Sequence, residues 1–172
     1  KIEKLDYEIS SLEKMRDFYR KGNLLLEGVL KNTSGRHRTE AGYLLNLGRF
    51  IERTAVTAIN VKKWYKLKIK LLPGFTEKSI WQGGRPMKES GKAQGAKPVS
   101  RDEAERIIKR MKEVAQDEIR NAYDTMPLVG FDSRLGFEPS MEYMCDQEHI
   151  EWKINMTNRA VSELDDYLKD FK

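Results

Sequence analysis

Four stretches of the chain repeat apolar residues at spacings of three and four, the signature of one buried face on a 3.6-residue helix. In the first, Ile2, Leu5, Ile9, Leu12, Met15 and Tyr19 recur among charged residues. Leu24, Leu25, Leu26, Val29 and Leu30 carry the pattern to residue 30, with Gly22 and Gly28 as its weak points. Asn32-Thr33-Ser34-Gly35 then reads as a turn. A second helix is predicted from about Thr39 to Leu72, with Thr39 as N-cap and Glu40 in its first turn. Its apolar face holds Leu44, Leu47, Ile51, Ala55, Ala58, Ile59, Tyr65 and Leu72, and Pro73-Gly74 ends it. At ~1.5 Å per residue it would span about 50 Å.

A third helix starts at Ser100-Arg101-Asp102-Glu103, a capping box in which the Ser hydroxyl accepts from the Glu103 amide. Ala104, Ile107, Ile108, Met111, Ala115, Ile119 and Ala122 form its face. The fourth is capped by Asp146 and presents Ile150, Ile154, Thr157, Val161, Leu164, Leu168 and Phe171. The five prolines, at 73, 86, 98, 127 and 139, fall outside these repeats, so each helix is expected to run unbroken. The pattern predicts an all-α fold, an antiparallel bundle of about four long helices in one domain spanning 1–172. Two connections stand out, a long loop 73–99 and an apolar loop 126–144. Within the first, the segment from Phe75 to Met87, with Phe75, Ile80, Trp81 and Met87, is expected to pack on the bundle. The Gly-rich part from Lys88 to Lys97 is expected to be mobile.

Charged residues make up 34% of the chain, which suits helices with wide solvated faces. The net charge of +5 is unevenly spread. Residues 31–72 hold ten Lys and Arg against two Asp and Glu, while residues 126–172 hold five against ten. The basic second helix and acidic fourth helix are therefore expected to lie side by side. The run VKKWYKLKIKLL over 61–72 interleaves lysines with Trp64 and Tyr65, as nucleic-acid-binding segments do. Helical geometry spreads those lysines over several directions, so a solvated face is the simpler reading and nucleic acid is not favoured as a partner. No run approaches the ~20 apolar residues of a membrane span, and no membrane partner is expected.

Cys145 is the only cysteine, and with His37 and His149 it offers no metal-ligand spacing. HExxH, GxGxxG and GxxxxGK[ST] are absent, so no metal, cofactor or catalytic set is assigned. Chemistry-bearing residues concentrate in MPLVGFDSRLGFEPSMEYM, residues 126–144, which is too apolar for an ordinary solvated loop. Asp132 and Arg134 are placed to form a charge-assisted pair. Asp132, Arg134, Phe137, Glu138 and Tyr143 are the candidate contact residues there, joined by Trp81 and Arg85 from the long loop. A general-acid/base pair of Asp132 and Glu138 needs a defined carboxyl separation that sequence does not fix.

The stretches TAINVKKWYKLK, 57–68, and VGFDSRLGFEPSMEYMCDQEHIEWK, 129–153, resemble the helical region that follows the (β/α)-barrel in large bacterial proteins of the glycoside-hydrolase type, similar to α-glucuronidases and hexosaminidases. In that architecture the catalytic carboxylates lie on the barrel, so the resemblance implies an accessory domain and carries no catalytic residue onto this sequence. A chain that opens on Lys1 without a leader is expected to begin inside a natural chain or after processing, and with this resemblance a larger parent protein is expected. The partner implied is a neighbouring catalytic domain of the same chain, with carbohydrate as a further possible contact. The rival expectations are a basic nucleic-acid-binding module on Lys62, Lys63, Lys66, Lys68 and Lys70, and a small enzyme built on the 132–138 loop.

Overall fold

The computed structural model describes residues 2–73, 75–82, 85–92, 97, 99–138 and 143–169. Side chains are described within 3–73, at 97, and within 99–136 and 145–169. Four long helices dominate: α1 (Ile2–Lys31), α2 (Gly35–Leu71), α3 (Arg101–Phe131) and α4 (Gln147–Lys169). Two antiparallel hairpins join them, β1 (Phe75–Gln82) with β2 (Arg85–Lys92), and the two-residue strands β3 (Phe137–Glu138) and β4 (Tyr143–Met144). The all-α architecture is as the periodicity predicts.

Packing follows chain order. α1 lies antiparallel on α2, with Glu8 opposite Lys62 and Glu27 opposite Arg49. α3 lies antiparallel on the other flank of α2, with Asn60 opposite Glu118 and Asn46 opposite Leu128. α4 folds back on α3 and reaches α2 through Lys153. α2, α3 and α4 thus enclose the core, and α1 covers one side of α2.

Two apolar clusters fill that core. One joins Leu71, Ala104, Ile107, Ile108, Met111 and Leu164, with Trp64, Leu67 and Tyr167 packed against it. The other joins Ala122, Val129, Ile150 and Ile154, with Phe50 and Ile119 at its edge. Between them sits a polar layer centred on Glu118, which is 8% exposed. Thr57 Oγ1 donates to Glu118 Oε1 at 2.7 Å, and Asn60 Nδ2 donates to Oε2 at 2.9 Å. Lys153 forms the ion pair from α4 and also donates to Thr57 Oγ1 at 3.2 Å. Asn121 adds a donation to Thr57 Oγ1 and one to the Arg53 carbonyl, each at 3.0 Å.

Local structure departs from expectation at three places. α2 starts at Gly35, not Thr39. Gly35 takes a φ of +58°, which lets the chain reverse sharply after α1, and the Thr39 hydroxyl turns back to the Gly35 carbonyl instead of capping. α3 runs through Pro127 to Phe131, so residues 126–131 are helix and not loop. Proline removes one N–H from the helix ladder. Burial of Leu128 and Val129 and the bond from Asn46 Nδ2 to the Leu128 carbonyl, 2.9 Å, hold the last turns in place.

The 73–99 connection is a regular hairpin over most of its length, in register from Phe75↔Lys92 to Gln82↔Arg85. Two residues separate its paired ends, and the sequence there is Gly83-Gly84, a hairpin signal. Lys88–Lys92, expected to be mobile, pair as strand. The expected packing of Phe75, Ile80, Trp81 and Met87 on the bundle concerns side chains outside the described residues.

The complement of the basic α2 is α1, not α4. Lys62 pairs with Glu8 at 2.6 Å, Lys63 with Glu13 at 3.0 Å, and Lys66 with Asp6. Glu52, buried on α2, accepts from Arg20 Nε and Asn23 Nδ2, each at 3.0 Å. Where α3 and α4 begin, the sequence reading holds: Glu103 N donates to Ser100 Oγ at 3.3 Å, and His149 N donates to Asp146 Oδ1 at 2.9 Å.

The polar layer generates a prediction. Glu118→Ala strands the donors of Thr57, Asn60 and Lys153, and urea unfolding should show a loss of about 2–3 kcal/mol, reduced from the cost at a dry site because Lys153 is partly exposed. Glu163→Ala, which breaks an exposed pair with Arg159, serves as the control and should cost under ~0.5 kcal/mol. Equal losses in the two variants would show that the layer does not anchor the core.

Candidate functional site

The sequence analysis singled out the end of the molecule where α3 stops and α4 starts. α3 ends on Asp132, whose N–H donates to the Leu128 carbonyl at 3.1 Å. One turn of 3-10 helix, Ser133–Gly136, follows, with Leu135 N donating to the Asp132 carbonyl at 3.1 Å. Cys145 N then donates to the Gly136 carbonyl at 2.6 Å, which ties the two ends of the connection together. Gly136 is required there by space, because a Cβ would lie 2.3 Å from the Cys145 carbonyl oxygen.

Asp132 is 9% exposed and grips Arg134 with both oxygens. Arg134 Nε donates to Oδ1 at 2.7 Å and Nη2 to Oδ2 at 2.8 Å, and the Arg134 backbone N–H adds a bond to Oδ1 at 3.2 Å. This fork-to-carboxylate geometry is the strong form of an ion pair. Hydrogen bonds from the Arg134 side chain are the main reason the Asp132 carboxyl is held below its ordinary 3.8, against the upward push of burial. Asp146, the cap of α4, is also held low, first by the backbone N–H of His149 and then by its ring. Both Asp132 oxygens are occupied, so this carboxylate orients a cation and is not available as a free base.

The Arg134 guanidinium is aimed outward. Its carbon lies 5.2 Å from the centroid of the Tyr43 ring on α2, within cation–π range. Tyr43 in turn meets Phe131 with ring centroids 5.2 Å apart and planes at 47°. Arg134 stands between two open clefts. One, of about 760 Å³, runs along Val129, Gly130, Cys145 and Gln147. The other, of about 670 Å³, is bounded by Glu40, Tyr43, Leu44 and Phe131.

Of the seven candidate residues, the structure brings Asp132 and Arg134 into direct contact. Phe137, Glu138 and Tyr143 lie in the adjacent hairpin, with Glu138 paired to Tyr143 along the backbone. Trp81 and Arg85 lie on β1 and β2, paired to Pro86 and Gln82. The side chains of these five are outside the described residues, as is the separation of the Asp132 and Glu138 carboxyls. Sequence reasoning missed Tyr43, Leu44 and Phe131. Leu44 was assigned to the core face of the second helix but is 57% exposed. Tyr43 precedes the apolar positions used for that face and stands four residues from Leu47, so the helical spacing carried no signal that it would be exposed.

The lysine run of α2 makes a seam and not an open platform. Lys62, Lys63 and Lys66 are each paired with an acid of α1, and Trp64 packs on the core. Among the described residues no cluster of His, Cys, Asp and Glu is arranged to hold a metal, and no helix is long and apolar enough to cross a membrane.

Two outcomes follow from this geometry. Gly136→Ala should break the Cys145–Gly136 bond, cost about 2–4 kcal/mol of stability, and speed amide exchange at Cys145. Exchange unchanged at Cys145 would contradict the packing described. In a carboxyl NMR titration, Asp132 should lose its charge below 3.8, and Arg134→Ala should move it upward. Because the folded value is depressed, the pair stabilises the loop above the ordinary value, and that contribution disappears as pH falls through the folded one. An Asp132 midpoint at or above the ordinary value in the unaltered chain would show that the fork does not persist in solution. Comparison with known proteins supplies no independent guide, since no family model, no curated protein and no solved structure matches this chain.

Proposed function

We propose that this chain is an accessory helical domain of a bacterial carbohydrate-active protein of the glycoside-hydrolase type, and that it packs its α3–α4 end against that protein's catalytic domain. The observation that carries the reading is the apolar surface at that end. Tyr43 and Leu47 are each 41% exposed, and Leu44 and Phe131 each 57%. The final turns of α1 add exposed Leu24, Leu25 and Val29 at the same end of the array. Tyr43, Leu44 and Phe131 line one open cleft together with Asp132 and Arg134, and apolar surface with charged residues at its border is the composition of an interface core and its rim.

Arg134 suits the rim of such an interface. Its fork is already ordered by Asp132, so docking costs little further side-chain entropy. The resemblance of 129–153 to barrel-following helical regions falls on this same end. The reaction chemistry would belong to the neighbouring domain, and the role of this chain would be to hold or complete it.

The test is hydrogen exchange on the 172-residue chain and on the longest natural polypeptide that contains it. Amides of 40–47 and 128–136 should exchange more slowly in the longer polypeptide, while those of 104–111 should not change. Equal exchange at the apolar end, or a natural polypeptide with no further domain, would refute the assignment.

A further inference from the structure

α1 and α3 flank α2, and an open groove of about 530 Å³ runs between them. Its walls carry five cations, Lys63, Lys66, Lys70, Arg110 and Arg120, against three carboxylates, Asp6, Glu113 and Asp117. Most of these charges are already spent within the protein. Lys63 pairs with Glu13, Lys66 with Asp6, and Arg120 with Asp117. Asp117 also accepts from Asn60 Nδ2 at 3.1 Å. Three charged groups remain: Lys70 from α2, and Arg110 and Glu113 from α3. All three are exposed, and none forms an ion pair with a described residue.

This remainder has a defined chemistry. Lys70 from α2 and Arg110 from α3 both line this groove, and neither forms an ion pair with a described residue. An anionic group placed there gains from both. Arg110 offers a planar fork matched to a carboxylate or sulfate, and Lys70 adds a point charge. Glu113, one turn along α3 from Arg110, can only accept hydrogen bonds when ionised, and it suits a hydroxyl donor on the same ligand.

Two features separate this ligand from a nucleic acid. Among the described residues no aromatic side chain lines the groove, so none of them offers bases a surface to stack on. The carboxylates on its walls oppose a continuous run of phosphodiesters. We infer that the groove binds an acidic saccharide, with Lys70 and Arg110 holding its carboxylate or sulfate and Glu113 accepting from its hydroxyls. The choice of a saccharide rests on the carbohydrate-active reading above, but the groove shares no residue with the Tyr43–Phe131 cleft, so binding here and docking there fail separately.

Calorimetric titration of the 172-residue protein at low salt tests it. The probes are an oligogalacturonate hexamer, which carries carboxylates only, and sulfated maltohexaose, which carries sulfates only. Cellohexaose is the neutral control, and oligo-dT of matched charge is the nucleic-acid control. At least one acidic oligosaccharide should bind, cellohexaose should not, and added salt should weaken the binding. The variant Lys70→Glu/Arg110→Glu should lower affinity by about tenfold or more with helicity unchanged, since two favourable charge contacts become repulsive. Arg110→Lys should weaken the preferred probe less than charge reversal does, and the arm that binds tells carboxylate from sulfate. Silence from both acidic probes overturns the inference, as does oligo-dT binding as tightly as either of them, equal binding of cellohexaose, or undiminished binding by the double variant.

Discussion

One carboxylate joins three of the four helices. Glu118 on α3 accepts from Thr57 and Asn60 on α2 and from Lys153 on α4, and it does so between the two apolar clusters. Leucine-like packing alone tolerates a slide of one turn, because a shifted ridge meets another groove of similar shape. A buried acid with three donors does not tolerate it. Moving α4 by one turn would carry Lys153 about 5.4 Å from Glu118 and leave the charge without its partner. The polar layer therefore fixes the register of α2, α3 and α4, and the apolar clusters supply the burial that makes that register cohesive.

α1 is held by other means. Neither apolar cluster draws a core residue from it, and Ile9 is its one buried apolar side chain among the described residues. Its grip comes from Glu8, Glu13 and Asp6 on the α2 lysines and from Arg20 and Asn23 on the buried Glu52. Close approach at Asn23 depends on Gly48, where a Cβ would stand 2.2 Å from the Asn23 side-chain oxygen. Exposed ion pairs are weak one by one and screened by salt. Local opening should accordingly be easiest at α1 and hardest where α3 crosses α2. The same geometry makes the groove proposed to take an acidic saccharide, since Asp6 and Ile9 of α1 line one side of it.

Much of this was legible in the sequence, and the exceptions share a physical cause. Helix existence followed from apolar spacing, and the starts of α3 and α4 followed from Ser100 and Asp146, because capping is local chemistry. The extent of α3 was not local. Pro127 argues for an end, and burial of Leu128 and Val129 with the Asn46 bond from α2 outweighs it. Partner choice was not local either: charge totals made α4 the natural complement of α2, yet chain order places α1 there first. At the site, the Asp132–Arg134 fork spans two residues and could be read directly. Tyr43 lies far from Phe131 in sequence, and only the return of α3 along α2 brings the rings together.

Asp132 links the fold to the proposed docking end. Its backbone closes α3 and its carboxylate fixes Arg134, whose guanidinium then sits over Tyr43 and so against Phe131. A loop arginine free to rotate would shield part of the apolar surface in some conformers and leave it bare in others. Held by both carboxylate oxygens, it presents one defined edge to the proposed partner. Exposed aromatic surface is a liability in a lone chain, where it favours nonspecific association. Building a rigid charged rim around such a surface, at a helix end and not on a free loop, has a clear physical use where a single matching surface is meant to cover it.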